Sequence, residues 1–182
     1  MTRIVAVCTG NVCRSPAVEF LLPARLPGAG LVVSSMGTRA MVGAAVDPPM
    51  ADRIRSAGAE PAPFSARALQ PSELRSADLV VVLAREHRAA VVALEPAAVR
   101  RTFLLRELAA IAGAVAAAGW PADVPADPAA RLAVLPRLAA PHRSAAGADL
   151  DVLDPFRRDA QTYDAAMAQV TGAVDELARA LG

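Results

Sequence analysis

The feature that most constrains the fold of this chain is a short polar segment near its start, between an apolar run and a stretch of helix formers. Ile4–Val7 is apolar and largely β-branched, which is typical of a buried strand. Pro16 is followed by good helix formers, and proline suits the first turn of a helix. The residues from Cys8 to Ser15 are therefore predicted to form a loop between a strand end and a helix start. In an open α/β sheet ligands bind at such a place, where unpaired helical N–H groups face an anion.

The residue types in this loop indicate a nucleophile beside an anion site. Cys8 places a thiol at the strand end, and Arg14 places a guanidinium where the loop closes. A guanidinium binds two phosphate oxygens at once, and loop N–H groups surround a tetrahedral anion. Because the helix start and Arg14 stabilise negative charge, we expect Cys8 to be a nucleophilic thiolate near neutral pH. Gly10 is predicted to give conformational freedom at the turn, and Asn11 tolerates the left-handed region.

Residues 8–16, Cys-Thr-Gly-Asn-Val-Cys-Arg-Ser-Pro, resemble the signature loop of the low-molecular-weight protein tyrosine phosphatases. The resemblance implies that Cys8 is the nucleophile and that Ser15 steadies its sulfur as a leaving thiolate. It further implies a set of phosphate-binding residues, which are Thr9, Gly10, Asn11, Val12, Cys13 and Arg14. It implies no metal and no cofactor. The competing interpretation is a structural turn around a buried, inert cysteine, which is the ordinary state of a free cysteine.

A second catalytic element is predicted near the end of the chain. Asp154-Pro155 resembles the Asp-Pro pair of the same family, whose aspartate protonates the leaving oxygen. Expelling an alkoxide or phenolate is costly unless an acid supplies a proton, and the same carboxylate would later accept a proton from water. Asp149 and Asp151 are nearby competitors for this role. The alternative for Asp154 is a residue that only caps a turn.

The resemblance also assigns residues around the signature loop. Ser35 stands at the position of the family's serine that hydrogen-bonds the loop asparagine, here Asn11. Phe64 stands where the family carries a histidine that supports the loop, so one polar contact is expected to be missing or replaced.

The substrate wall is the least specified part of the predicted site. The family carries an aromatic or apolar wall against which a substrate ring lies, and the candidates here are Met41, Val42 and Phe156. Neither Trp nor Tyr occurs beside the first two, and methionine is adaptable but stacks less specifically than an aromatic ring. Tyr163 lies on the last predicted helix and matches no family position.

The remaining cysteine and the two histidines are given secondary roles. Cys13 is predicted to form a reversible disulfide with Cys8 that protects the nucleophile from over-oxidation. His87 lies in an arginine-rich helix start and is predicted to be a solvated surface residue, with a general base as the weaker alternative. His142 has no cysteine or carboxylate cluster at the spacing of a metal site.

The rest of the chain predicts an α/β fold. Three further strands are expected at Leu31–Ser35, Leu79–Leu83 and Thr102–Leu105, separated by helical segments. The resemblance implies a four-stranded parallel sheet in the order 2-1-3-4 with helices on both faces, a phosphotyrosine protein phosphatase I-like fold. We predict a single domain over residues 1–182, with an Ala/Pro-rich insertion at about 109–147. Its role is left open between a surface elaboration, a partner surface and a lid over the cleft.

Composition excludes several classes of partner. The chain has 182 residues, of which 54% are hydrophobic, with 19 basic and 18 acidic side chains. This balance predicts neither nucleic acid nor an anionic membrane surface as a partner. No apolar run reaches spanning length, and both cysteines lie in the first loop, so a cytoplasmic protein is expected. The oligomeric state is not predicted.

The function predicted from these features is hydrolysis of phosphomonoesters, most specifically of phosphotyrosine in proteins, through a cysteinyl-phosphate. Three alternatives stay open at this point. Arsenate reduction needs further cysteines to relay a disulfide, and only Cys13 is available. Protein-arginine phosphatases resemble this loop but carry threonine at the position of Val12. A non-catalytic phosphate-binding module would need none of the catalytic residues.

Overall fold

A four-stranded parallel sheet forms the centre of the protein in a computed structural model that describes residues 1–182. The strands are β1 (Thr2–Cys8), β2 (Leu31–Gly37), β3 (Leu79–Val82) and β4 (Thr102–Leu104). Their order is β2-β1-β3-β4, and every neighbouring pair is parallel. The predicted fold class and strand order are confirmed.

Seven α-helices surround this sheet. They are α1 (Arg14–Arg25), α2 (Pro48–Ser56), α3 (Pro71–Ser76), α4 (Arg85–Leu94), α5 (Leu105–Ala118), α6 (Pro128–Leu138) and α7 (Ala160–Leu181). Short 3-10 helices cover Pro96–Arg101 and Ala140–Ala145. No helix is both long enough and apolar enough to cross a lipid bilayer.

The helices cover both faces of the sheet, which explains the continuous apolar runs of β1 and β3. On one face Ile4 and Ala6 of β1 join the larger hydrophobic cluster, to which α1, α2, α5, α6 and α7 contribute. On the other face Val5 and Val7 join a smaller cluster with residues of α3, α4 and the first 3-10 helix. Because Ile4–Cys8 of β1 and all of β3 are buried on both faces, these two runs show no alternation of polar and apolar residues.

The carboxyl edge of the sheet brings three distant segments together. Cys8 at the end of β1 is in register with Gly37 at the end of β2. Leu83, directly after β3, accepts a backbone hydrogen bond of 2.8 Å from Val152, which lies two residues before Asp154. The predicted nucleophile and the predicted acid therefore reach the same edge of the sheet.

Helix α6, in the segment after α5, lies at the opposite edge. Thr2 at the start of β1 donates a hydrogen bond of 3.1 Å to the carbonyl oxygen of Ala129 in α6. Leu132 and Leu135 of α6 are fully buried in the larger cluster. Asp127 caps this helix by accepting from the N–H of Ala130 at 2.8 Å. Since α6 packs against the amino ends of the strands, it does not cover the carboxyl edge as a lid.

Candidate active site

The signature loop is hydrogen-bonded to the rest of the protein through its carbonyl oxygens, whereas the amides of its residues 9–13 have no partner within the protein. The carbonyls of Cys8, Thr9, Gly10 and Val12 accept hydrogen bonds of 2.9 Å from the N–H groups of Thr38, Arg39, Met41 and Asp47, respectively. No N–H group of residues 9–13 donates a hydrogen bond within the protein. A ring of free amide donors at a helix start is an anion-binding concavity.

Asn11 holds this conformation. It has a left-handed backbone with φ of 55° and is fully buried, whereas the φ of Gly10 is not positive. The turn thus uses the tolerance of asparagine, and the expected conformational role of Gly10 is wrong. The Asn11 amide group donates to Ser15 Oγ at 3.0 Å and to Ser35 Oγ at 2.7 Å, and its oxygen accepts from the N–H of Arg67 at 2.8 Å. The hydrogen bond expected between Asn11 and Ser35 is therefore present.

The support of the loop continues behind Ser35. The Ser35 hydroxyl donates to Glu19 Oε2 at 2.5 Å, and burial raises the pKa of Glu19 above its ordinary value. Phe64, at the family's histidine position, instead packs edge-on against Phe20 with ring centroids 6.0 Å apart. The backbone N–H of Arg67 supplies a polar contact to the loop from this part of the chain.

The Cys8 thiol lies beside a hydroxyl that can stabilise its negative charge. Cys8 Sγ is 3.0 Å from Ser15 Oγ, and both residues are buried. Ser15 Oγ accepts from the Asn11 amide, and its own proton has two acceptors within reach, the Cys8 sulfur at 3.0 Å and the more distant Met36 carbonyl oxygen at 3.5 Å. The Ser15 hydroxyl is therefore placed to donate a hydrogen bond to the Cys8 sulfur.

Cys13 has a different environment. Burial, followed by the Asp47 carboxylate, raises the pKa of the Cys13 thiol far above its ordinary value. Cys13 therefore stays a neutral thiol, whereas a nucleophile needs a thiolate. Both cysteines are free in the structure, and the protective disulfide between them stays a prediction.

Arg14 is buried at the base of the loop, with only 3% of its surface exposed. One guanidinium nitrogen donates to the carbonyl oxygen of Val152 at 3.2 Å, and the other donates to Thr9 Oγ1 at 3.3 Å. The second nitrogen also forms an ion pair of 2.8 Å with Asp154, whose side chain is 53% exposed. Arg14 thus connects the signature loop to the predicted acid.

These groups line one cleft of about 160 Å³. Its lining residues are Cys8, Thr9, Gly10, Val12, Cys13, Arg14, Arg39, Met41, Asp154 and Phe156. Of the three candidates for the substrate wall, Met41 and Phe156 line this cleft, whereas Val42 is 72% exposed and is not a lining residue. The role of Met41 and Phe156 as a substrate wall stays a prediction.

The competing carboxylates lie outside this cleft. Asp151 accepts a hydrogen bond of 3.0 Å from the backbone N–H of Arg85, and Asp149 lies 3.8 Å from the Arg106 guanidinium. Neither carboxylate lines the cleft, whereas Asp154 does. No group of three or more His, Cys, Asp or Glu side chains is arranged to hold a metal ion.

His87 lies beside the cleft, in a different environment from the one that the sequence predicts. His87, predicted to be a solvated surface residue, is 1% exposed, and its Nε2 lies 2.9 Å from Thr9 Oγ1. Burial, with a further contribution from Arg14, lowers the pKa of His87 to about 4, so the ring is neutral near pH 7. The sequence did contain one indication that His87 lies near the signature loop, because it follows β3 directly, at the same sheet edge as Cys8.

Comparison with known proteins finds matches that cover most of the chain. A family model described as "Low molecular weight phosphotyrosine protein phosphatase" matches residues 3–118, up to the end of α5. The protein-tyrosine-phosphatase Etp of Escherichia coli K12 is 38% identical over 101 residues, which are 56% of this chain and 67% of Etp. The related protein Wzb of Salmonella typhi is 35% identical over 94 residues, 52% of this chain and 62% of Wzb.

Solved structures agree over nearly the whole length. The YwlE arginine phosphatase of Geobacillus stearothermophilus superposes with a TM-score of 0.71 at 26% identity, covering 98% of this chain and 92% of its own. The tyrosine phosphatase Wzb of Escherichia coli K30 has a TM-score of 0.70 at 22% identity, with coverage of 99% and 98%. This second likeness bears on the fold alone. The matched residues 3–118 contain the whole signature loop, and the chain belongs to the low-molecular-weight phosphotyrosine protein phosphatase family.

Proposed function

We propose that this protein hydrolyses phosphotyrosine in proteins through a cysteinyl-phosphate formed on Cys8. The observation that carries the proposal is the set of free N–H groups of residues 9–13, which surround the Cys8 thiol together with Arg14. Family membership and the likeness to Etp, a protein-tyrosine-phosphatase, support it. A phosphorylated protein is accordingly the proposed partner, and the two free thiols support a reducing, cytoplasmic location.

Binding begins with the phosphate dianion at the amide ring. The free N–H groups accommodate its oxygens, and the Arg14 guanidinium supplies the compensating charge. In the free protein the Asp154 carboxylate forms an ion pair of 2.8 Å with the Arg14 guanidinium. The incoming dianion competes for that guanidinium, so substrate binding releases the half-exposed Asp154 side chain toward the leaving oxygen.

In the first chemical step the Cys8 sulfur attacks phosphorus, so that an S–P bond forms while the P–O bond to the tyrosyl oxygen breaks. Asp154 in its carboxylic acid form gives its proton to the departing phenolate. The amides and Arg14 hold the three equatorial oxygens through this step. The tyrosine hydroxyl then leaves with the dephosphorylated protein.

In the second step water attacks the phosphorus of the cysteinyl-phosphate. Asp154, now a carboxylate, accepts a proton from this water, and the S–P bond breaks to release inorganic phosphate. The sulfur leaves as a thiolate, which the Ser15 hydroxyl at 3.0 Å stabilises by donating a hydrogen bond. The cycle ends with Cys8 and Asp154 ready for the next substrate.

Phosphoarginine is the second candidate substrate, because the YwlE arginine phosphatase is 26% identical in structure-based comparison. The cleft favours the aryl phosphate. Val12 is apolar and lines the cleft at the position where the resembled arginine phosphatases carry threonine, so it offers no hydroxyl to orient water. Met41 and Phe156 supply apolar walls that suit a phenyl ring.

Two measurements test the proposal. Cys8→Ser is expected to abolish hydrolysis of p-nitrophenyl phosphate, and survival of activity would contradict the nucleophile assignment. Phosphotyrosine, phosphoarginine and phosphoserine peptides assayed side by side then define the substrate, with phosphotyrosine expected to react fastest. A phosphopeptide that binds without turnover would indicate a non-catalytic binding module instead.

The acid is tested by the leaving group. Asp154→Asn is expected to lower kcat by about 10²–10⁴ for phenyl phosphate, and by less for p-nitrophenyl phosphate, because nitrophenolate leaves without a proton. Asp149→Asn is the matched control, since that carboxylate is outside the cleft. Equal losses for the two esters would show that Asp154 does not protonate the leaving oxygen.

A further inference from the structure

His87 lies against the signature loop although it belongs to α4, far along the chain. Its ring is buried at 1% exposure, and Nε2 is 2.9 Å from Thr9 Oγ1. The same hydroxyl oxygen accepts a hydrogen bond of 3.3 Å from the Arg14 guanidinium. His87, Thr9 and Arg14 therefore form a continuous chain of contacts that ends at the proposed phosphate ligand.

We propose that His87 is a positioning residue, which orients the Thr9 hydroxyl so that its oxygen receives the Arg14 guanidinium. The inference rests on the proposed function, since it concerns how the phosphate-binding arginine is held. A hydroxyl has one proton and two lone pairs. When Nε2 of the neutral ring takes the proton, both lone pairs are left for other donors, of which Arg14 is the nearest in the structure.

The burial of the ring argues against a purely packing role. Nδ1 of His87 is buried and has no hydrogen-bond partner. An unpaired buried polar atom destabilises the folded protein, so packing alone favours an apolar residue of similar size at this position. The contact that a histidine provides and an apolar residue does not is the one to Thr9.

Besides Arg14, the Glu86 side chain also makes polar contacts with His87 and Thr9. Its carboxylate lies 3.5 Å from Thr9 Oγ1 and 3.4 Å from His87 Nε2, and 65% of its side chain is exposed. These longer distances and the access of water make it a weaker partner for the hydroxyl than the buried ring. The orientation of Thr9 is therefore assigned to His87.

The consequence for catalysis is a fixed guanidinium. The Arg14 guanidinium is hydrogen-bonded to the Val152 carbonyl oxygen and to the Thr9 hydroxyl. Its third partner, Asp154, is displaced when the substrate phosphate binds. When Asp154 is released, the hydrogen bond to Thr9 is one of the two that still hold the Arg14 guanidinium, and the other is the one to Val152. Loss of His87 should then weaken phosphate binding and also slow the chemical step, because misplacement of a charged group lowers transition-state stabilisation.

The experiment is a double-mutant cycle on p-nitrophenyl phosphate hydrolysis, with inorganic phosphate as the inhibitor. His87→Leu and Thr9→Val are each expected to lower kcat/KM roughly tenfold and to weaken phosphate inhibition. The double variant is expected to be no worse than the worse single variant, because both changes break one chain of contacts. His87→Gln, which keeps a hydrogen-bonding group, is expected to restore most of the activity. His142→Leu is the matched histidine control outside the cleft.

Several results would overturn the inference. These are wild-type kinetics and phosphate inhibition in His87→Leu, losses that multiply in the double variant, or no rescue by His87→Gln. If His87→Leu does not fold, Thr9→Val tests the inference by itself. Wild-type kinetics in Thr9→Val would contradict it, because His87 is proposed to act through Thr9. Cys8→Ser separates the two proposals: activity that survives it contradicts the proposed function, whereas an inactive Cys8→Ser with a normal His87→Leu contradicts only the positioning role.

Discussion

At the scale of single residues, the site depends on side chains that fix the backbone and do not react. Asn11 shows this most clearly, because it combines a φ of 55° with hydrogen bonds to Ser15, Ser35 and Arg67. The sequence indicated that asparagine tolerates this conformation, and the three partners explain why it is stable. The reactive residues are oriented by this buried network.

Asn11 can be tested by two substitutions that separate strain from hydrogen bonding. Asn11→Ala is expected to lower the free energy of unfolding by about 2–4 kcal/mol, because buried partners lose their hydrogen bonds. Asn11→Gly loses the same bonds without the left-handed strain and is expected to be less destabilised by roughly 1 kcal/mol. Urea unfolding measures both, and equal stabilities would show that the backbone conformation carries no strain.

His87 should also make stability depend on pH. Its pKa is about 4 in the folded protein, against an ordinary value of 6.5. The charged groups that face the ring are Arg14, Glu86, Asp151 and Asp154. Between these two pH values the unfolded chain binds a proton that the folded chain does not, so stability falls as the pH falls from 6.5 toward 4. At ~1.4 kcal/mol per pKa unit, the total loss is about 3 kcal/mol.

The measurement is the free energy of unfolding of the natural protein and of His87→Gln at closely spaced pH values. Since glutamine does not titrate, the difference between the two proteins is expected to change between pH 6.5 and 4 and to be constant above pH 7. A difference that is constant throughout would mean that His87 is not held neutral in the folded protein.

At the scale of secondary-structure elements, the site is assembled where the ends of β1, β2 and β3 meet. The end of β2 approaches the signature loop so closely that a Cβ on Gly37 would lie 2.5 Å from the Thr9 carbonyl oxygen. Only a glycine permits this approach, and it allows the residues after β2 to hydrogen-bond the loop carbonyls. The conformation of the signature loop is therefore fixed by the loop and the end of β2 together.

Gly37→Ala tests this close approach. Because the neighbouring atom belongs to the backbone, the loop or the strand has to move, and we expect kcat/KM to fall at least tenfold. Stability is expected to fall by about 1–3 kcal/mol, the range for overpacking. Gly172→Ala on α7 is the matched control, since nothing lies within 4 Å of its added Cβ, and it should leave activity unchanged. Normal kinetics in Gly37→Ala would contradict the proposed coupling.

At the scale of the whole molecule, the cleft and the helix α6 lie at opposite edges of the sheet. The carboxyl edge carries the cleft, while α6 packs against the amino edge together with the end of α7. Arg131 of α6 donates to the carbonyl oxygen of Leu181 at 2.7 Å, and Trp120 donates to that of Ala180 at 3.2 Å. Trp120 and α6 therefore pack against the end of the molecule that is remote from the cleft. The description of the segment at about 109–147 as an insertion stays a prediction.

Leu132→Ala tests that separation. Leu132 is fully buried in the larger cluster, so its truncation is expected to cost about 2–4 kcal/mol of stability. The values of kcat and KM at 25 °C should stay within about twofold of the natural protein, because α6 binds β1 at Thr2, the opposite end of the strand from Cys8. Leu94→Ala, at a partly exposed position, should change stability much less. A large change in KM for Leu132→Ala would show that the two edges are coupled.

The sequence alone determined the features that depend on neighbouring residues. The strand, loop and helix around Cys8, the caps and the four strands follow from local preferences and apolar patterns, which are encoded within a few residues. Because the signature loop is contiguous, its nucleophile and its arginine could be assigned together. The Asp-Pro pair and Ser35 required the family resemblance, since neither carries a specific signal by itself.

Only the tertiary structure decided the features that depend on distant contacts. Arg14 and Val152 are separated by 138 positions, yet their contact brings Asp154 to the guanidinium. The burial of His87, the exposure of Val42 and the place of α6 at the amino edge are likewise set by packing of the whole chain. Local sequence leaves the burial of an individual side chain undetermined, because burial depends on which remote elements pack against it. For that reason the candidate reacting groups could be named from the sequence, whereas the burial and most of the contacts of the residues around them could not.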